Sequence, residues 1–304
     1  MEKIIFDCDP GVDDALAIIL AINSGLELYG ITSVHGNSPL SQTTLNACRI
    51  LDYLNLDVPV AKGASKPLRV KRVTAGDIHG KDGLGDSKLL SKSSKRKLAG
   101  NAVDFIFKGI KQGVKTIVAT GPLTNIAIAF KRNPRLMNQL ERLVIMGGTI
   151  NESGNIDRVS EFNFYADPDA ADYVLANAKV PIYLVPLDVT RKAIFTEAHK
   201  NQVSYSVSGK LAKSVVSKYL KNYTKSGFDG NPLHDPLAVA YVLKPSFLEF
   251  TPMNLRVETK GEFTRGECVP EQRPWMKKTK SNVNVALKVD AKSFLSYFVK
   301  TISK

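Results

Sequence analysis

The stretch Asp7-Cys8-Asp9-Pro10-Gly11-Val12-Asp13-Asp14 places four carboxylates in eight residues, directly after the apolar run Ile4-Ile5-Phe6. Four acids packed together repel one another, and a hard cation is the partner that relieves the repulsion. Ca²⁺ accepts about six to eight oxygen ligands in flexible geometry, whereas Mg²⁺ wants a tight octahedron and fewer protein ligands. A single Asp here could equally cap the following helix and sit at its positive end. Pro10 and Gly11 suit a sharp turn that aims the acids inward. Two chemistries use such an acidic strand end. One is an aspartyl nucleophile in phosphoryl transfer, with the pattern Asp-x-Asp-x-Thr/Val; here the fifth position is Gly11, and the Thr or Ser and the Lys needed at later strand ends have no convincing place. The other is hydrolysis in which a cation lowers the pKa of a water and a neighbouring carboxylate takes its proton.

These residues need elements to hold them. Lys3–Phe6, Leu28–Val34, Thr116–Ala119, Leu143–Met146 and Ile182–Leu187 read as strands; Asp13–Asn23, Leu40–Leu54, Leu123–Phe130 and Pro168–Ala178 read as helices. Strands alternating with helices predict an α/β fold with a mostly parallel central sheet flanked by helices, a Rossmann-like core. In such sheets ligands bind outside the carboxyl ends of the strands, where the acidic cluster falls. No internal repeat or Pro/Ser-rich linker interrupts the chain, so a single domain over 1–304 is expected. Two stretches are less regular and could wall or cover a site: Lys62–Gly100, with eleven Lys/Arg against three Asp, and Ser204–Leu233, helical and ending in Gly227-Phe228-Asp229-Gly230-Asn231-Pro232.

Composition narrows the class further. The chain has 304 residues, 43% hydrophobic and 23% charged, which excludes a disordered or collagen-like protein. Cys8, Cys48 and Cys268 are odd in number and far apart, fitting reduced thiols in a cytoplasmic protein rather than bridges or a zinc site. Three apolar residues before Asp7 are too few for a signal-peptide core, and Ala15–Ile22 is far short of the roughly 20 residues that span a bilayer, so no membrane is expected. The formal charge is +13. A nucleic-acid site would thread basic residues with stacking rings, and Ser91–Lys97 has none; nucleic acid would be the partner of an inactive hydrolase fold, which the intact acidic set argues against.

The acidic stretch Asp7 to Ala15 closely resembles the signature of the nucleoside hydrolases, the inosine–uridine-preferring family. Further blocks carry the resemblance in family order: Val34-His35-Gly36-Asn37, Ile78-His79-Gly80-Lys81-Asp82-Gly83-Leu84-Gly85, Thr120-Gly121-Pro122-Leu123-Thr124-Asn125, Met146-Gly147-Gly148, Glu161-Phe162-Asn163-Phe164-Tyr165-Ala166-Asp167-Pro168 and His234-Asp235-Pro236.

The resemblance implies Ca²⁺-dependent hydrolysis of the N-glycosidic bond of ribonucleosides, in nucleoside salvage. Asp7, Asp14 and Asp235 would bind Ca²⁺ through side chains and Thr120 through its carbonyl, with the ion holding the ribose 2′- and 3′-hydroxyls and a water. Asp9 would be the general base on that water, in keeping with a carboxylate that stays ionised beside a cation. Asp13, Asn37, Glu161 and Asn163 would bind ribose hydroxyls, and Met146 and Asn155 complete the substrate contacts. His234 matches the position that protonates or orients the leaving base, and His79 lies in a site-flanking segment. Tyr223, with Tyr219 one helical turn before it, is a candidate for the base pocket; His35 and His199 read as structural or surface. The one tryptophan, Trp275, lies outside these blocks, which disfavours the purine-specific subgroup that stacks bases on Trp and favours a pyrimidine or mixed inosine–uridine preference. Relatives are usually homo-oligomers, dimers or tetramers, so an oligomer is implied here.

Overall fold

A computed structural model of the chain describes residues 2–75, 79–225, 227–276 and 280–304; Ile78, which opens the Gly-rich stretch, lies outside the described residues. In chain order the strands are β1 (Lys3–Cys8), β2 (Glu27–Ser33), β3 (Val60–Lys62), β4 (Thr116–Ala119), β5 (Arg142–Met146), β6 (Ile182–Val185), β7 (Ile194–Phe195), β8 (Asn231–Pro232), β9 (Leu248–Met253), β10 (Leu255–Val257), β11 (Cys268–Pro270) and β12 (Val283–Val289). The helices are α1 (Val12–Asn23), α2 (Leu40–Tyr53), α3 (Ala102–Lys111), α4 (Thr124–Arg132), α5 (Pro134–Met137), α6 (Phe162–Ala166), α7 (Pro168–Asn177), α8 (Leu187–Thr190), α9 (Glu197–Gln202), α10 (Val207–Lys225), α11 (His234–Leu243) and α12 (Ala291–Ile302).

Eight strands form one sheet in the order β3-β2-β1-β4-β5-β6-β12-β9. All neighbours run parallel except β12 and β9. The expected mostly parallel α/β fold is therefore the fold observed. Ile4, Ile5 and Phe6 of β1 are fully buried, as a central parallel strand covered on both faces requires. One face carries α1, α2, α10, α11 and α12; the other carries α3, α4, α5 and α7. Strand order reverses at β1/β4, so the carboxyl ends of β1, β2 and β4 open a crevice where a ligand can sit.

Several expectations shift. The strand read as ending at Phe6 continues to Cys8, so Asp7 lies in β1; the helix read from Asp13 opens one residue earlier, at Val12, with Asp13 and Asp14 in its first turn. Acid there is favourable, because the helix N-terminus is partly positive. The strand read to Leu187 stops at Val185, since Pro186 lacks an N–H for the ladder and leads into α8. The helical stretch read over Ser204–Leu233 is α10 followed by the short strand β8. Helix α3 was not expected; Asn101 caps it by accepting from the Val103 N–H at 2.9 Å. The antiparallel edge from β9 and β12 also goes beyond the parallel pattern.

Candidate active site

Asp7 sits in register with Thr32 of β2 and Ala119 of β4. The pairing brings the Thr32 hydroxyl to Oδ2 of Asp7, and the Asn125 amide donates to the same oxygen at 2.8 Å. Oδ1 is buried without a partner. Asp9 follows on the turn, where the Asn37 N–H donates to its Oδ2 at 2.6 Å, again leaving a bare buried Oδ1. Room for this carboxylate depends on two glycines: a Cβ on Gly36 would stand 1.9 Å from Oδ2, and one on Gly121 would stand 2.9 Å from Oδ1.

The first turn of α1 adds the other two acids. Asp14 reaches back to accept from the Gly11 N–H and accepts from the Thr120 hydroxyl, both at 2.9 Å, with the Asn37 amide at 3.3 Å. Asp13 accepts from the Asp235 N–H at 2.9 Å through Oδ2, and its Oδ1 is the third buried carboxylate oxygen without a partner. Asp235 itself stands in the first turn of α11. Across the crevice, the Asn163 amide donates to the Thr120 carbonyl at 2.7 Å and to the Met146 carbonyl at 3.3 Å. Glu161 caps α6, accepting from Asn163 N–H at 2.9 Å and Phe164 N–H at 3.2 Å, and from Gly148 N–H at 3.0 Å.

Burial pushes all six carboxyls up: Asp14 to about 6, Asp7 and Glu161 to about 7, and Asp13 to about 8. Asp9 and Asp235 are also pushed well above the usual carboxylate range, by burial and then by the charge of Asp14. A bound cation would reverse that direction by favouring the ionised forms. Among the described residues, no three His, Cys, Asp or Glu side chains are grouped so that they could hold a metal ion as they stand. The fit lies in donor chemistry. The cluster offers hard oxygens, an excess of negative charge and three buried oxygens with hydrogen-bonding capacity unspent, which suits a hard divalent cation.

Above the acids opens a pocket. Of the residues expected to form a site, Asp13, Asn37, His79, Thr120, Met146, Asn155, Glu161, Asn163, Tyr223, His234 and Asp235 line it. Asp7, Asp9 and Asp14 lie beneath, buried. Asn155 is also a structural tie, its Oδ1 accepting from the Phe162 N–H at 2.8 Å. Tyr219 lines the pocket too, stacked on His79 with centroids 5.3 Å apart and set edge-on to Tyr223 at 5.0 Å. Thr74, Ala75, Ile156 and Phe162 were missed as lining residues. Thr74 and Ala75 are small side chains in an irregular segment and carry no chemical signal; Ile156 and Phe162 read as ordinary apolar residues, although Phe162 stands beside Glu161 in one of the blocks that carry the resemblance.

His79 and His234 line the pocket, whereas His35 and His199 are not among its lining residues. His35 is buried and bonded to Thr124 at 3.0 Å, and His199 closes on the N-terminus of α9 through Thr196. His79 accepts from the Val12 N–H through Nδ1 at 3.2 Å, so its proton sits on Nε2. Burial lowers His79 to about 4 and His234 to about 3, keeping both rings neutral. Trp275 is 77% exposed and is not among the pocket's lining residues.

An acid-floored pocket at the carboxyl edge of a parallel sheet, walled by amides and neutral imidazoles, suits an enzyme that takes a small polar substrate. The family described as inosine-uridine preferring nucleoside hydrolase matches residues 4–296, and the chain belongs to it. It is thus a glycosidase of N-glycosyl compounds. The pyrimidine-specific ribonucleoside hydrolase RihA of Salmonella typhimurium is 37% identical over 303 residues, 96% of this chain and 95% of that protein. The solved purine-preferring ribonucleoside hydrolase from Gardnerella vaginalis aligns with a TM-score of 0.91 at 35% identity, covering 99% of this chain and 98% of its own. The plant nucleoside hydrolase PpNRh1 aligns with a TM-score of 0.92 at 29% identity, covering 99% of both chains.

Proposed function

We propose that this protein, as one domain, cleaves ribonucleosides to ribose and free base with calcium as its cofactor, and that Asp9 is the base for the attacking water. The observation that carries this reading is the set of bare buried oxygens on Asp7, Asp9 and Asp13 beneath a pocket lined with amides and acids. Asp7, Asp14 and Asp235 would hold the ion with the Thr120 carbonyl. When bound, the ion would lower the pKa of a water and help orient the substrate.

The protein's own groups account for the remaining demands. Asn37 pins Oδ2 of Asp9 through its N–H, so Oδ1 is the oxygen left to take a proton from water. Asp13, Asn37, Glu161 and Asn163 offer acceptors and donors to the ribose hydroxyls, and their excess of negative charge favours a sugar that becomes cationic as the bond breaks. Neutral His234 and His79 stand on the pocket wall to support the departing base, with Tyr223 beside them. The preference is for pyrimidine or mixed inosine–uridine substrates, the assembly a dimer or tetramer, and the location cytoplasmic, in keeping with three free buried cysteines.

Asp9→Ala tests the reading. The variant should fold and retain calcium, yet release no ribose from uridine or inosine in a reducing-sugar assay. Full activity would remove Asp9 as the base.

A further inference from the structure

At the end of β6 the four-residue turn α8 makes three separate attachments. Asp188, buried, accepts from the Ile150 and Asn151 N–H groups at 2.8 Å each. Arg191, just past the turn, donates to the Ser153 and Gly154 carbonyls at 2.7 Å each. These two fasten the loop that leads to Asn155 and Ile156 on the pocket wall. The third attachment is different: the Thr190 hydroxyl lies 2.8 Å from Nδ1 of His234.

The direction of that bond follows from accounting for hydrogens. Thr190 is fully buried, and among the described residues its hydroxyl has no other hydrogen-bond partner. A buried O–H must place its hydrogen on an acceptor, so it donates to Nδ1. A ring nitrogen that accepts carries no proton, and a neutral imidazole then holds its proton on Nε2. His234 lines the pocket, and Nε2 is its remaining ring nitrogen.

We propose that Thr190 is a positioning residue for bond cleavage: its hydroxyl fixes His234 as the Nε2–H tautomer and so presents a neutral N–H donor to the departing base. The inference rests on the reading that His234 serves the leaving group. It adds no covalent step. The electron pair of the breaking C–N bond passes to the base, and the N–H supports the charge that builds there.

The experiment compares Thr190→Val, which keeps the shape and removes the hydroxyl, with Thr190→Ser, which keeps the hydroxyl. Each is assayed on uridine and on para-nitrophenyl ribofuranoside, whose leaving group departs as a stable anion without a donor. Thr190→Val should lower kcat on uridine about 10- to 100-fold and on the nitrophenyl riboside less than about threefold, with Thr190→Ser close to the parent on both. Equal losses on both substrates would assign Thr190 a structural role only, and an unchanged kcat on uridine would overturn the proposal. His234→Ala in the same assays separates the two readings: if it leaves uridine cleavage intact, the leaving-group role of His234 fails; if it abolishes cleavage while Thr190→Val does not, only the role of Thr190 fails. Independently of any variant, ¹⁵N spectra of histidine-labelled parent protein should show Nδ1 of His234 unprotonated, and the opposite tautomer would overturn the inference.

Discussion

The carboxylate of Asp13 accepts a hydrogen bond at 2.9 Å from the backbone N–H of Asp235, a residue 222 positions further along the chain. This bond ties the start of α1 to the start of α11, and so sets one acid of the cluster by means of another. Replacing Asp13 by Ala leaves a buried N–H bare, whereas Asn keeps an acceptor oxygen. Asp13→Ala should be about 1–3 kcal/mol less stable in urea than Asp13→Asn, and both should lose at least about 100-fold in uridine hydrolysis. Equal stability of the two variants would remove this bond as the tie.

Calcium should stabilise the folded protein by mass action. Protein treated with a chelator should melt lower and regain its midpoint on adding calcium, by about 2.7 kcal/mol at a hundredfold excess over Kd. Asp235→Ala should hold less calcium by equilibrium dialysis and show a smaller shift. Stoichiometric calcium retained in that variant would take Asp235 out of the ligand set.

His35 provides a pH signature outside the cluster. The Thr124 hydroxyl gives its hydrogen to Asp167 at 2.6 Å, so it accepts from Nε2–H of His35, and Nδ1 is buried without a partner. A proton on Nδ1 would bury an unpaired charge, and burial lowers this histidine to about 4. The folded value lies below the unfolded one, near 6.5, so the stability is complete above about pH 6.5 and lost as pH falls toward 4. Between pH 7.5 and 5 the parent should lose about 2 kcal/mol more than His35→Gln in denaturant titrations. Identical pH slopes would show that His35 does not carry this dependence.

Base preference is tested by steady-state efficiency. His79, Tyr219, Tyr223 and His234 line the pocket, and Trp275 is exposed and not among its lining residues. Uridine or cytidine should be cleaved with higher kcat/KM than adenosine. Comparable efficiency on the two classes would reject the preference.

The parallel core is legible in the chain because buried strands are short apolar runs and each is followed by a helical pattern. Helix α3 carried the same signals, Asn101 as a cap and buried Val103, Phe105, Ile106 and Ile110, but Gly109 in its interior and the basic irregular stretch before it masked them. Asp7, Asp9, Asp13 and Asp14 stand out because mutual repulsion makes four neighbouring acids costly without a purpose. Their supports do not: Thr32 and Thr190 are ordinary buried threonines until register and tertiary packing place them against Asp7 and His234. The α8 turn was hidden for a related reason, since Leu187-Asp188-Val189-Thr190 extends an apolar strand in pattern and only Pro186 marks the break.

Strand β9 leaves the ribosome before β12, yet β12 is the strand it pairs with in the sheet, and β12 also closes the open flank of β6. A nascent polypeptide must therefore wait for Val283–Val289 before the sheet can be completed. Shortened translation products that stop ahead of Val283 would emerge with a sticky, apolar strand flank uncovered, and aggregation or rapid proteolysis is the fate that geometry assigns them.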